Sequence, residues 1–518
     1  MSTSFHQNAG LIRGRHIVEA IGADGAPIVH VDAAIYHLDG RIVAIGPFKR
    51  LSQDHPNLPV VGDAEAVVVP GFINAHHHVG LTPFQLGSPD FPLELWFASR
   101  LGARAVDLYL DTLYSAFEMI ASGVTTVQHL HGRLFGSLDH LLTGARQIIS
   151  AYRDVGMRVS YSYMMRDQNR LVYEDDDAFC DRLPLELGAR LRALLRAQVV
   201  PITDTLSLFT ALAKENPAGG RTRVQLAPSN LHWLSDKALA DIAAASKFSG
   251  APLHMHLLET AFQREYARRR TGGSAVRHLH KLGLLGPNMT LGHSVWSTGD
   301  EIDLLAGTGT CICCNPSSNL RLRSGIAPHA AFRRAGLTIG LGIDEAGLNE
   351  DRDMLLEMRM LLLLSRVPGF GDGPFTAPEI LRIATEHGAA TTPFKGTIGV
   401  LRPGYAADCL LFDWNQIASP FLDPRVTLVD ALVQRARSRD ICSVVIDGAT
   451  VYHRGAFTLV DKAAVLKELS DRMSSPPSAS DLQRASLSLD VLPHVRSFYD
   501  GYADVSPNRG YAPSATKI

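Results

Sequence analysis

Between residues 67 and 400 the chain alternates short apolar, β-branched runs with longer stretches of helical spacing, which confines it to a parallel sheet joined by crossover helices. The runs fall at 67–73, 125–130, 158–164, 223–227, 252–257, 289–291, 310–314 and 337–343. Segments 185–197 and 236–246 carry apolar residues at helical spacing and supply two of the connections. Eight such runs predict a (β/α)8 barrel, a fold whose usual span of about 250 residues leaves room for insertions.

The two ends have a different texture. From residue 10 to about 66 short strands are expected at 11–13, 17–20, 28–31 and 41–46, with Asp39-Gly40 as a hairpin turn. Similar strands return at 404–413 and 441–452, with turns at Asp447-Gly448 and Arg454-Gly455. The expected fold class is therefore α/β, a TIM barrel with a small β-sandwich built from both terminal segments. The divisions are 1–66 and 401–460 for the sandwich, 67–400 for the barrel and 461–518 for a helical and irregular tail. Within that tail, 463–473 reads as helix and 474–480 as a Ser/Pro-rich linker. Beyond it Tyr499, Tyr502 and Tyr511 would pack on a neighbouring subunit or over the chain's own barrel.

Composition narrows the functions. Hydrophobic residues make up 46% of 518, enough for a large core, and the net charge of −2 comes from scattered Lys and Arg rather than the basic stripe that nucleic acid needs. No uncharged apolar run approaches the ~18 residues of a membrane span. The nearest, 354–364, is broken by Glu357 and Arg359. The first 14 residues hold neither an apolar run nor a small-residue cleavage site. The expectation is a cytoplasmic homo-oligomer with a small-molecule substrate and no nucleic-acid or membrane partner. Of six cysteines, Cys311, Cys313 and Cys314 share one apolar segment without CxxC spacing and read as buried thiols.

Chemistry enters at His76-His77-His78, where the first run ends. Side chains alternate along a strand, so His76 and His78 share a face and His77 points away. Among 21 histidines such a pair can arise by chance, so its partners decide the matter. Barrel enzymes carry catalytic groups at the C-terminal ends of their strands. The fifth run ends on His254, His256 and Glu259, the sixth on His293 and the eighth on Asp344. This nitrogen and oxygen set suits Zn²⁺ or Fe²⁺ with a position left for water, whereas a closed structural zinc site would use thiolates. A second pair, His129 and His131, ends the second run and reads as pocket lining.

The order of these residues resembles a known family. Pro70-Gly71-x-x-Asn74-Ala75-His76-x-His78, His256-x-x-Glu259, a lone His293, Asn315-Pro-x-Ser-Asn319 followed by Gly325-Ile-Ala-Pro328, and Gly342-x-Asp344 together resemble the amidohydrolase superfamily. The likeness is to its deaminase-like branch of adenosine-derivative, guanine and triazine aminohydrolases and chlorohydrolases, and runs from about residue 10 to 455. It implies one divalent metal, zinc or else iron, on His76, His78, His256 and Asp344. It further implies that Asp344 takes a proton from the attacking water, Glu259 passes one to the substrate, and His293 stands beside the reacting group. The activity implied is hydrolytic deamination, or a related C–N or C–X displacement, on an N-heterocycle. The alternative on the same site is amide, carbamate or urea hydrolysis. The fourth run has no lysine, so the carbamylated bridge of two-metal relatives is absent.

The sequence also departs from the family's pattern. Ala227-Pro228-Ser229-Asn230 stands where many relatives have Ala-Pro-His, with His232 a little later, and Ile343-Asp344-Glu345 replaces Thr-Asp-Gly. Glu345 is either a substrate contact or a surface residue. Loop 81–96, with Phe84, Phe91 and Trp96, is expected to wall the pocket. Gln128, His131 and Trp96 are the substrate-contact candidates. Arg321 and Arg323 match basic positions of the resemblance and need no special role.

Overall fold

The computed structural model describes residues 9–78, 80–366, 370 and 375–504. Both ends of the chain enter one nine-stranded sheet. Ala9–Ile21 pairs antiparallel with Pro27–Leu38, which pairs with Arg41–Pro47 across Asp39-Gly40, both at positive φ as a tight hairpin requires. The two N-terminal strands expected at 11–13 and 17–20 are one strand of 13 residues. From the other end come Cys409–Asp413, Ile441–Ile446, Ala449–His453 and Ala456–Phe457. The turns between the last three are the expected Asp447-Gly448 and Arg454-Gly455, again at positive φ. An Arg41–Ala406 bridge ties the edge strand Arg41–Pro47 to the segment before Cys409–Asp413, over a core of Ile12, Ile17, Ile35, Val68, Leu411 and Val445.

The run expected as one strand at 67–73 is two. Ala66–Pro70 joins the terminal sheet, parallel to Ala9–Ile21 and antiparallel to Cys409–Asp413, and so stitches the two ends together. Pro70 cannot donate to a continuing ladder, and at Gly71 a Cβ would lie 2.2 Å from Thr125 Oγ1. Only after this break does the parallel sheet begin.

Its strands are β1 (Phe72–His77), β2 (Val124–His131), β3 (Arg158–Met165), β4 (Thr222–Val224 and Ala227–Pro228), β5 (Leu253–Leu257), β6 (Met289–His293), β7 (Cys311–Cys314) and β8 (Ile339–Leu341). The first four form one parallel arc and the last four another. Single bridges join the arcs, Leu226 to Leu253 on one side and His77 to Asp344 on the other, so the pairings make a closed cycle. At the second seam Asn74 Oδ1 accepts from the Ile343 amide at 3.0 Å and His76 O from the Asp344 amide at 2.8 Å. Gly342 permits this approach, since a Cβ there would meet Asn315 Oδ1 at 2.3 Å. The seam thus brings His76 and Asp344 together across 268 positions of sequence.

The expected helices are present as Leu185–Ala197 and Asp236–Ser249, the latter ending on left-handed Gly250. The tail is more ordered than its composition predicts. Lys462–Ser474 is helical, the linker shrinks to 475–478, and α1 (Ala479–Tyr499) follows, capped by Ser478 and Asp481. Leu487, Val491, Val495 and Tyr499, four residues apart, face Leu95, Ala98, Val172 and Tyr173. The tail therefore lies over its own chain; Tyr511 falls outside the described residues. Among the described residues no helix is long and apolar enough to cross a membrane.

Candidate active site

His76 and His78 leave the end of β1 on the same side, as alternation requires. His77 turns the other way, its Nδ1 3.1 Å from Asp344 O and its Nε2 3.3 Å from Ser115 Oγ. Each inward histidine has its far nitrogen occupied: His78 Nδ1 lies 2.7 Å from Leu130 O and His256 Nδ1 2.9 Å from Ser229 O. A carbonyl can only accept, so both rings carry hydrogen on Nδ1 and turn an Nε2 lone pair inward. His254 takes the same part for His76, Nε2 to Nδ1 at 2.8 Å, and so positions a ring of the cluster.

The inward atoms converge. His78 Nε2 is 3.0 Å from His76 Nε2, 3.1 Å from His256 Nε2 and 3.3 Å from Asp344 Oδ1. Lone pairs cannot bond one another, and a tetrahedral ion with bonds of ~2.0–2.1 Å sets its donors about 3.3 Å apart. The donor set therefore fits a divalent cation at their common centre. Burial, joined by the neighbouring imidazoles, holds His76 and His256 well below the usual histidine range, keeping them as neutral ligands. Among the described residues the groups of three that could hold an ion are His76, His78 and Asp344, and His76, His256 and His293. His129 and His131 belong to neither: they stack, with His129 Nδ1 2.9 Å from the Tyr152 hydroxyl.

Asp344 and His293 both occupy left-handed backbone, φ +65° and +69°, a strained conformation for such residues that often marks functional positions. The Asn315-to-Asn319 motif holds them: Ser318 donates to Asp344 Oδ2 at 2.7 Å, and Asn319 Oδ1 lies 2.8 Å from His293 Nδ1. His293 Nε2 then faces two carboxylates, Glu259 Oε2 and Asp344 Oδ2, each at 3.8 Å. Glu259 accepts from Ser324 Oγ at 3.2 Å and Gln263 Nε2 at 3.4 Å, and burial pushes its carboxyl up to about 7.

A cavity of about 470 Å³ opens above these groups, bounded by His78, His256, Glu259, His293 and Asp344. Trp96 and His131 line it, but Gln128 does not; it is fully buried and donates to Ser162 Oγ at 3.1 Å. Three positions apart on a strand, Gln128 and His131 point to opposite faces, so only one could reach the cavity. Phe84 is 60% exposed and outside the lining. Ser229 lines the cavity, whereas His232 is outside the lining and packs against Tyr173 with tilted rings, centres 4.2 Å apart. Glu345 faces the cavity and is paired with Arg100. Sequence reasoning missed the arginines of the wall, Arg100, Arg133 and Arg166 among them. The strand-end rule that found the histidines would have found two of these, since Arg133 lies two residues beyond β2 and Arg166 one beyond β3.

Known proteins resemble this chain in sequence and in fold. The model of the amidohydrolase family matches residues 67–451. A 5-methylthioadenosine/S-adenosylhomocysteine deaminase of Nitratidesulfovibrio vulgaris is 28% identical over 449 residues, 86% of this chain and 94% of its own. An adenosine deaminase of Xanthomonas campestris, solved with bound zinc, superposes with a TM-score of 0.71 at 23% identity, covering 89% of this chain and 98% of that one. An atrazine chlorohydrolase of Arthrobacter aurescens, complexed with zinc, gives 0.76 at 21% identity, with coverages of 89% and 99%. These last two are likenesses of fold. With most of its length matched by one family model and the metal-type donors gathered where its motifs predict, the chain belongs to the amidohydrolase family.

Proposed function

We propose that this protein is a metal-dependent aminohydrolase that deaminates an N-heterocycle with one divalent ion, zinc or else iron, per chain. The observation that carries the reading is Glu259: a fully enclosed carboxyl on the cavity wall, still protonated near neutrality and 3.8 Å from His293, which is 3.8 Å from Asp344 in turn. Such an acid suits a substrate that must gain a proton on a ring nitrogen. The relatives named as deaminases and the zinc in two fold neighbours agree with it.

Held by His76, His78, His256 and Asp344, a divalent ion would supply the Lewis acidity that makes hydroxide available from water at neutral pH. The chain's own groups divide the remaining work. Asp344 turns Oδ1 to the histidines and Oδ2 to Ser318 and His293, so Oδ2 is placed to take a proton from the attacking water. Glu259 gives its proton to the ring nitrogen, which lets the adjacent carbon accept the oxygen. The Asp344 carboxylate faces His293 Nε2, and an N–H there would steady the oxygen as charge grows on it. Asp344 then passes its proton to the amino nitrogen, the C–N bond breaks to release ammonia, and the hydroxyl proton on the attacked carbon passes to Glu259, which restores the acid and leaves a carbonyl.

The fold reading is a (β/α)8 barrel beside a small β-sandwich, supported by the closed cycle of strand pairings and the curled terminal sheet. We place the first boundary between them at Gly71 rather than residue 66. The test of function is ammonia release over a panel of aminated heterocycles, run beside amides, carbamates and ureas. Ammonia from a heterocyclic amine, lost in Glu259→Gln with the metal retained, is the expected result. Carboxylate or carbamate-derived products alone would assign the site to amide-type hydrolysis instead.

A further inference from the structure

Beyond the reacting floor, the cavity wall carries more positive charge than the protein answers. Arg100 is paired with Glu345, Arg170 meets Asp176 at 3.1 Å, Arg484 on α1 is paired with Asp481, and Arg104 donates to the main-chain oxygens of Met473 and Ser475 at 2.7 and 3.0 Å. Two guanidinium groups remain. Arg133 has a single long contact, 3.5 Å to the Ala103 carbonyl. Arg166 makes no hydrogen bond or ion pair among the described residues and sits instead against the rings of Phe135 and Trp233, 5.4 and 5.9 Å from their centres. Both line the cavity and keep open surface towards it.

Arg166 is half-buried, and a guanidinium partly enclosed by protein without a paired carboxylate loses hydration and regains little, whereas Arg133 is exposed and stays hydrated until a ligand arrives. Burial and the neighbouring arginines lower Arg166 to about 10 against the opposing pull of Tyr163 and Asp176, so it remains cationic at neutral pH, as the exposed Arg133 does. The chain as a whole has a net charge of −2, so a surplus of cations without a paired carboxylate here is local and not a by-product of a basic protein. The aromatic faces hold the Arg166 plane in place, leaving its N–H fork free.

We infer that the substrate carries an anionic group, a carboxylate or a phosphate, that Arg133 and Arg166 bind while its ring lies at the histidine floor. This deepens the proposed function and rests on it for the ring alone. A planar fork presents parallel N–H donors that match two oxygens of either anion. Ser229, standing where many relatives have a histidine, fits a substrate gripped from the arginine side.

The test uses the full, zinc-loaded chain and ligands that hold no amine to lose, so it reads anion binding even if deamination fails. Calorimetry compares pyridine-3-carboxylate and phenyl phosphate with neutral pyridine-3-carboxamide. One of the two anions should bind about tenfold or more tightly than the amide, and the better one identifies the group. Arg133→Met and Arg166→Met should each erase that preference and leave the amide unchanged, while Arg166→Lys keeps part of it. Because Arg166 has no ion pair or hydrogen bond to lose, only its contacts with Phe135 and Trp233, Arg166→Met should change the melting temperature little, whereas a structural arginine would lower it. Equal affinity for amide and anions in the wild type overturns the inference. So does an anion preference that survives both methionine variants, which would place the anion on the metal.

Discussion

At the cavity floor each ring of the histidine cluster has an assigned partner, while on the wall two guanidiniums have no carboxylate paired with them among the described residues. His78, His256 and His76 are each held through Nδ1, by Leu130, Ser229 and His254, before any substrate arrives. Arg133 and Arg166 face open space. The difference separates two kinds of preorganisation. The floor is fixed to do one chemistry, and its strain and buried neutral imidazoles are sustained by bonds within the protein. The wall is built for a charge that the ligand must bring.

Breaking the floor should cost most. His256→Ala removes one donor and leaves the other lone pairs without a shared ion, so metal content by mass spectrometry should fall from about one per chain to near zero, and activity with it. Glu259→Gln leaves the donors intact. It should retain the metal and lose about 10²–10⁴ in kcat, measured as ammonia release. On the wall, the arginine variants act chiefly on KM, because their contacts form in the ground state as well.

The pH dependence sharpens the same contrast. Glu259 must hold a proton to act as an acid, and its carboxyl sits at about 7, so kcat/KM measured across pH 6–9 should fall as pH rises through that value. The arginines do not titrate in that range, and anion affinity should stay flat across it. The smallest effect lies behind both. Burial raises Glu357 to about 8, above its unfolded value of 4.5, and it is held by Ser317. The folded state then keeps a proton the unfolded chain has lost, so the contribution is fully present below about 4.5 and lost as pH rises through about 8. Glu357→Gln should therefore melt progressively higher relative to wild type between pH 5 and 8, by a few degrees at the upper end.

Much of the floor was legible because its rules are local. Strands buried on both faces read as continuous apolar runs, and donors placed at their ends obey the period of two that separates His77 from His76 and His78. The same rule, applied to Gln128 and His131, would have removed Gln128 from the substrate contacts. The break at Pro70-Gly71 was hidden inside a valine run, since nothing local says that Thr125 crowds Gly71. Helix α1 was obscured by its serine-rich approach and Pro493, although Leu487, Val491, Val495 and Tyr499 keep a four-residue spacing. The wall was the least legible part. Whether an arginine is answered depends on carboxylates brought in by folding, as Glu345 is for Arg100, and no spacing in the sequence announces which ones stay unanswered.

The central claim, that one ion on the histidine floor drives the hydrolysis, meets its most direct test in a titration. Chelated enzyme is given Zn²⁺ stepwise and ammonia release from a heterocyclic amine is followed at each addition. Activity should rise linearly and break at about one ion per chain. Activity that persists in the chelated protein, or a break at two ions, would contradict it.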